Sequence, residues 1–373
     1  MSASDVVAPA PAPLEAVSVR RSSRPSGWLL AVAVAVVVVL SFMPSLVSQG
    51  DTATLVNVFV LLTIATMWNL LAGYAGMVSI GQQAFIGVGA YTVLVATLNG
   101  MNPFVAIPLG AVVAAAFSVA VSFLVFRTRG GYFAIATWVV AAAAELVVSS
   151  ITKLGGGTGH PIPGLSALSP TSFSDETYWA AMIVAVLALA ITYLLLRSRL
   201  GLVLAAVRDN EVGARASGAR VTSARRIVFM VAALGCGAAG ALLAVSQLQV
   251  QPTAAFSVQF SAEMIFVTLI GGMGTIEGPI IGTVIFFVLQ QNLAQQGAWY
   301  LIILGSVAVV VAIWLPRGIW GTVTGRLRFE FFPVGYFVAS GRRGRRGRPD
   351  SPIAGALEPA APAPSKTSDE SDQ

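Results

Sequence analysis

Apolar residues in this chain gather into ten blocks, each of which reads as a membrane-spanning helix. They run from Trp28 to Ser48, Thr54 to Ala72, Ile80 to Leu98, Phe104 to Phe126, Tyr132 to Ile151, Tyr178 to Leu196, Ile227 to Leu248, Phe260 to Gly274, Gly278 to Leu293 and Trp299 to Leu315. About 20 apolar residues suffice to cross the hydrocarbon core. The pattern predicts an all-α polytopic membrane protein of about ten transmembrane segments, some of them broken or re-entrant. The clearest interruption runs from Asn69 to Tyr91. There Gly73, Gly76, Gly81, Gly87, Gly89, Ser79, Gln82 and Gln83 stand where a lipid-facing span would be solidly apolar. Such backbone and uncharged amides are tolerated only against other helices or along a water-filled path. The glycines are therefore expected to bring two backbones together, and the segment to line a route for a solute.

Composition supports a membrane class, with 56% hydrophobic residues, 10% charged residues and a mean hydropathy of +0.81. Charge placement then orients the chain, because Lys and Arg collect on cytosolic loops. With ten crossings and both termini in the cytosol, all but Lys153 of the 22 basic residues fall inside. An odd number of spans would put the seven Arg between Arg197 and Arg226 on the opposite side from one terminus. The high isoelectric point follows from topology, and no nucleic-acid partner is needed to explain it.

The ends differ in composition. Residues 1–26 are rich in Ala, Pro and Ser, and an Arg-Gly cluster after Gly341 gives way to Pro, Ala, Ser and acids. Disordered cytosolic tails are expected at 1–26 and 326–373, flanking a membrane domain at 27–325.

Several chemistries are closed off. Cys236 is the single cysteine and His160 the single histidine, which leaves no intramolecular disulfide, thiol metal site or zinc-protease motif. No metal, cofactor or catalytic residue is expected. Gly235-Cys-Gly237-Ala-Ala-Gly240 matches a dinucleotide fingerprint in letters only, since it sits inside an apolar span where helix packing explains it. Gly274, Gly278 and Gly282 likewise read as a stripe for tight contact. Neither Lys153 nor Lys366 follows a glycine as a phosphate loop requires, so the chain is not itself a P-loop ATPase.

The loop from Arg197 to Arg226 holds more than orientation charges. Leu202, Ala205, Ala206, Asp209 and the run Val212 to Ala216 predict short helices broken at Gly201 and Gly218, with Asp209 and Glu211 among the arginines. A soluble partner could grip it, or it could serve orientation alone. Glu145 interrupts the fifth span, and an ionisable group there faces the bundle interior or a cavity. Path lining and an interhelical hydrogen bond are both open to it.

An ordered set of motifs carries a family resemblance across roughly residues 50–325. They are Asn69-Leu-Leu-Ala-Gly-Tyr-Ala-Gly-Met-Val-Ser-Ile-Gly-Gln-Gln-Ala-Phe85, Arg129-Gly-Gly-Tyr-Phe-Ala-Ile-Ala-Thr137, Gly156-Gly-Thr-Gly159, Ser198-Arg-Leu-Gly201 with Arg208-Asp-Asn-Glu211 and Gly218, Ile270-Gly-Gly-Met-Gly-Thr-Ile-Glu-Gly-Pro279 and Leu315-Pro-Arg-Gly318. In these the chain resembles permease subunits of ABC importers for branched-chain amino acids, the LivH/LivM pair, and the LivM type most. The resemblance implies a bacterial plasma (inner) membrane location and a second, LivH-like permease subunit. It also implies two cytosolic ATP-binding subunits and an extracytoplasmic solute-binding protein that delivers a small-molecule substrate.

Under that resemblance Gly73, Gly76, Ser79, Gly81, Gln82, Gln83 and Glu145 are expected on the translocation path. Arg208, Asn210, Glu211 and Gly218 are expected in the ATPase coupling loop, 197–226. The family's Glu-Ala-Ala-x-x-x-Gly coupling segment reads Glu211-Val-Gly-Ala-Arg-Ala-Ser-Gly218 here, with the alanines displaced, and Gly81-Gln82 stands where Gly-His is common. Permeases for urea, short amides or other amino acids, a stand-alone secondary transporter, and a membrane-embedded enzyme are the competing readings. Neighbouring genes for ATPases and a binding protein would separate them.

Overall fold

The computed structural model describes residues 18–21, 27–128, 130–164, 169–293, 298–315, 318–327 and 336–339. Fourteen α-helices follow in chain order among them: α1 (Gly27–Ser41), α2 (Gln49–Asn69), α3 (Gln83–Leu98), α4 (Pro103–Val125), α5 (Gly131–Ser149), α6 (Pro170–Arg197), α7 (Arg199–Asp209), α8 (Glu211–Ala216), α9 (Val221–Gln247), α10 (Pro252–Ala255), α11 (Val258–Gly271), α12 (Glu277–Leu293), α13 (Ala298–Trp314) and α14 (Gly318–Leu327). A π-helical turn, Leu70–Tyr74, prolongs α2. Four short strands complete the description: β1 (Ser18–Arg21), β2 (His160–Pro161), β3 (Gln249–Val250) and β4 (Tyr336–Ala339), pairing as β1 with β4 and β2 with β3. The tails expected to be disordered lie mostly outside the described residues.

Each of the ten apolar blocks contains an α-helix, though residues 80–82 and 272–274 lie outside it. Among the described residues, six helical stretches are long and apolar enough to cross a membrane: Gln49–Tyr74, Pro103–Val125, Gly131–Ser149, Pro170–Arg197, Val221–Gln247 and Pro252–Gly271. Short polar side chains start several of them, since the first N–H groups of a helix have no partner within it. Ser48 accepts from Asp51 N at 3.4 Å before α2, Asn102 from Phe104 N at 2.9 Å before α4, and Ser169 from Ser172 N at 3.3 Å before α6.

The core forms around α9, whose Ala232, Ala233, Cys236, Ala239, Ala241 and Leu242 are fully buried. It packs on α2, α3 and α4, and small residues set the spacing. A side chain at Gly89 would strike the Gly237 carbonyl, one at Gly240 the Ile86 carbonyl, and one at Gly235 the Met67 thioether. Lipid tails are as apolar as helix side chains, so close backbone approach is what drives such packing. The fingerprint-like glycines of α9 are thus packing residues.

In the loop after α6, α7 begins at Arg199 because Ser198 caps it, accepting from Leu200 N at 3.1 Å. It runs straight through Gly201. The expected break at Gly201 is therefore corrected: that glycine lies inside the helix, where a Cβ would meet the Leu196 carbonyl. The break falls instead at Asn210, whose extended backbone (φ −156°, ψ 103°) ends α7 while its Oδ1 accepts from Gly213 N at 2.9 Å and starts α8. Gly218, with φ +81°, ends the pair as expected.

Candidate functional site

After Tyr74 the chain leaves the helix and runs without regular structure, through a left-handed Gly76 (φ +66°), to Gln82 before α3 begins. Every hydrogen bond that holds this break uses neutral groups. Trp68 Nε1 donates to the Ser79 carbonyl at 2.8 Å, Met77 N to the Leu71 carbonyl at 2.9 Å, and Ile80 N to Thr137 Oγ1 at 3.3 Å. Ser79 Oγ accepts from Gly81 N and from Gln82 Nε2, both at 3.3 Å. Ser261 Oγ donates to the Ile80 carbonyl at 3.0 Å and contacts Gln83 Oε1, while Cys236 Sγ lies 3.5 Å from Gln82 Oε1. α2, α5, α9 and α11 thereby fix one non-helical segment. Removing a charge from water at such depth is far costlier than pairing neutral groups.

Ser79, Gln82 and Gln83 were expected on a path, and each is at most 1% exposed. Within this chain they brace the break. The glycines divide in the same way. A Cβ at Gly73 would meet Asn69 Oδ1 and the Gly274 backbone, one at Gly81 the Thr137 carbonyl, and one at Gly87 the Phe256 ring. Gly76 has open space around it; its φ of +66° is what calls for glycine. The expectation of a close backbone contact at Gly76 is corrected accordingly. Glu145 is half-buried on α5, and no hydrogen bond among the described residues joins it to the break.

A second cluster lies where α2 gives way to its π-helical turn. Asn69, 1% exposed, donates through Nδ2 to the Thr275 carbonyl at 2.7 Å and accepts from Gly274 N at 2.8 Å. One side chain thus pins the turn between α11 and α12. The same turn is approached from two further sides: the Arg208 guanidinium of α7 lies against Gly274, and Gly318, φ +69°, packs on Gly272. The motifs around Asn69, Arg208, Gly274 and Gly318, far apart in sequence, meet at one point. Gly274 consequently belongs to this turn, while Gly278 and Gly282 meet the Gly272 and Val267 carbonyls.

Glu211 accepts from Arg215 at 2.8 Å and from Arg225 at 2.9 Å, tying α8 to the start of α9. Partial burial alone would raise its carboxyl, but the hydrogen bonds and charges of Arg215 and Arg225 outweigh that and hold it below the usual carboxylate range. Ala214, Val207 and Val221 form a small apolar centre beneath, and Val212 is left 77% exposed. The loop is thus a folded knob with an outward apolar side chain.

Thr137, Ser261, Cys236 and Trp68 are site residues that sequence reasoning missed as partners of the break. A lone hydroxyl in an apolar run was the available signal, and it does not say what it bonds.

Comparison with known proteins places the sequence in a family. The family described as branched-chain amino acid transport system / permease component matches residues 52–312. The permease LivM of Salmonella typhimurium is 28% identical over 316 residues, covering 76% of this chain and 73% of the relative. LivM of Escherichia coli K12 is 27% identical over 317 residues, covering 77% and 73%. The ribose import permease RbsC of Bacillus subtilis is 26% identical over 253 residues, covering 65% and 77%. No solved structure matches. With the family's motifs spread over helices that brace a membrane break, this chain belongs to the branched-chain amino acid ABC permease family, as a LivM-like multi-pass protein of the plasma (inner) membrane.

Proposed function

We propose that this chain is the membrane-spanning subunit of an ABC importer that carries branched-chain amino acids. They are delivered by an extracytoplasmic binding protein and moved by ATP hydrolysis on two separate cytosolic subunits, with a LivH-like permease as its membrane partner. All ten helical blocks cross, both termini are cytosolic, and the loop after α6 is the ATPase dock. The observation that carries the reading is the meeting of Arg208 with the turn that Asn69 pins. A push on α7 would reach the break through the contact of Arg208 with Gly274 and the bonds of Asn69 to the same turn. A zwitterion needs hydrogen bonds for its two charged ends and an apolar wall for its side chain, and a broken helix supplies both without fixed charge.

Ribose is the second reading, because a ribose permease aligns over 253 residues. Purification of the complex in detergent followed by reconstitution tests both. Co-purification of two ATPases and ATP-dependent uptake of leucine, with no uptake of ribose, is the expected result. Uptake of ribose alone would move the assignment to sugars, and gradient-driven uptake without an ATPase would make the chain a secondary transporter. Reporters fused after Lys153 and after Gly218 are expected outside and in the cytosol; the opposite result at either would end the ten-span topology.

A further inference from the structure

The segment Ala75 to Ile80 alternates strictly. Ala75, Met77 and Ser79 are buried, Gly76 and Val78 are exposed and Ile80 is half-buried. The alternation belongs to an irregular segment, since Gly76 sits in the left-handed region at φ +66°. The segment is pinned to the bundle at Met77 N, Ser79 C=O and both backbone groups of Ile80, which bond to Leu71, Trp68, Thr137 and Ser261. At Val78, neither the N–H nor the C=O has a hydrogen-bond partner among the described residues. The segment lies at the level of Thr137 within α5 and Cys236 midway along α9, inside the apolar bundle. Lipid cannot satisfy a free amide there, so the open backbone is covered by protein or lines water.

We propose that the exposed positions Gly76 and Val78, with the half-buried Ile80 side chain beside them, form a solute-contacting strip of the translocation path. The Val78 N–H donates to the carboxylate of a passing zwitterion, the Val78 C=O accepts from its ammonium, and the Val78 and Ile80 side chains meet an aliphatic group. Water satisfies both groups between passages, without a matching segment from another chain. The zwitterion rests on the functional reading above; the exposure of the strip to water does not.

The test uses the whole reconstituted complex with its binding protein and ATPases. The sole native thiol, Cys236, is 0% exposed, so wild type provides a silent background. Val78→Cys, Ile80→Cys, Met77→Cys and Ser79→Cys are treated during ATP turnover with a charged, membrane-impermeant methanethiosulfonate, and labelling is read by protein mass. Val78→Cys and Ile80→Cys are expected to label several-fold faster than Met77→Cys, Ser79→Cys and wild type, and leucine-loaded binding protein is expected to slow them. Equal labelling at 77 and 78 would overturn the proposal, as a folded-away segment or a permease–permease contact. Fast labelling that loaded binding protein leaves unchanged would overturn it too, as water access off the path. Leucine uptake by the wild-type complex reports separately on the functional reading.

Discussion

Asn69 and Ser79 in the membrane break do what Asn210 and Ser198 do in the loop after α6. In each, a short polar side chain accepts from a backbone N–H where regular helix stops, at Gly274, Gly81, Gly213 and Leu200 respectively. The two regions differ in what closes them. The loop is closed by charge, through Glu211 between Arg215 and Arg225, whereas the break is closed by amides, hydroxyls and an indole. Water makes ion pairs cheap to form and weak; an apolar bundle makes neutral bonds strong and their loss expensive. The same substitution type should therefore weigh more in the break than in the loop.

Gly81→Leu should have the largest effect. Its side chain enters the Thr137 carbonyl, so destabilisation should reach or exceed the roughly 1–3 kcal/mol usual for overpacking, seen as loss of monodisperse complex in detergent. Gly76→Ala, with free space but positive φ, should cost only about 1–2 kcal/mol and leave the complex assembled. Equal damage at both would break the distinction between them.

Asn69→Leu comes next. It strands Gly274 N–H and Thr275 C=O, at about 1–3 kcal/mol for each group left unpaired. ATPase co-purification should persist while uptake per ATP hydrolysed collapses; intact coupling would show that the joint carries no movement.

In the loop, Gly218→Trp meets a φ of +81° with open space around it, so about 1–2 kcal/mol of local strain is expected. ATPase retention should fall without loss of membrane insertion. Glu211→Lys should act in the same direction, since it removes two partly exposed pairs, each worth about 0.2–1 kcal/mol, and adds repulsion beside two arginines. Wild-type ATPase retention and stimulated hydrolysis in both variants would place the dock elsewhere.

The smallest effect is that of pH. The Glu211 carboxyl is held below its ordinary value, so its contribution is complete above the unfolded carboxylate range, near pH ~4.3, and is lost as pH falls through the lower folded value. ATPase retention should be flat from neutral to mildly acidic pH and decline only below that range. Glu211→Gln should flatten this decline.

Local features of the fold were legible. The ten helical blocks, the interruption after Asn69 and the folded loop with Gly218 at its end follow from apolar runs, glycines and caps, which act within a few residues. Orientation and pairing were not. Gln82 and Gln83 announce a polar break, but whether they face a path or a brace depends on Ser79, Cys236 and Ser261, the last of these 178 residues away from Gln83. Gly76 and Gly81 look alike in sequence and differ only in what lies beside them. Gly201 has the residue type of a helix breaker, but the Ser198 cap starts α7 before it and the helix continues through it.

The distance in sequence between Asn69 and Thr275, 206 residues, sets an order of events during synthesis. Ribosomes add roughly 5–20 residues per second, so the partner of Asn69 emerges ~10–40 s after it. Throughout that interval α2 would sit in the bilayer with its π-helical end unclamped. Chains cut short before the turn at Gly272–Ile276 would carry that unfinished end permanently, which makes them ready substrates for membrane quality control.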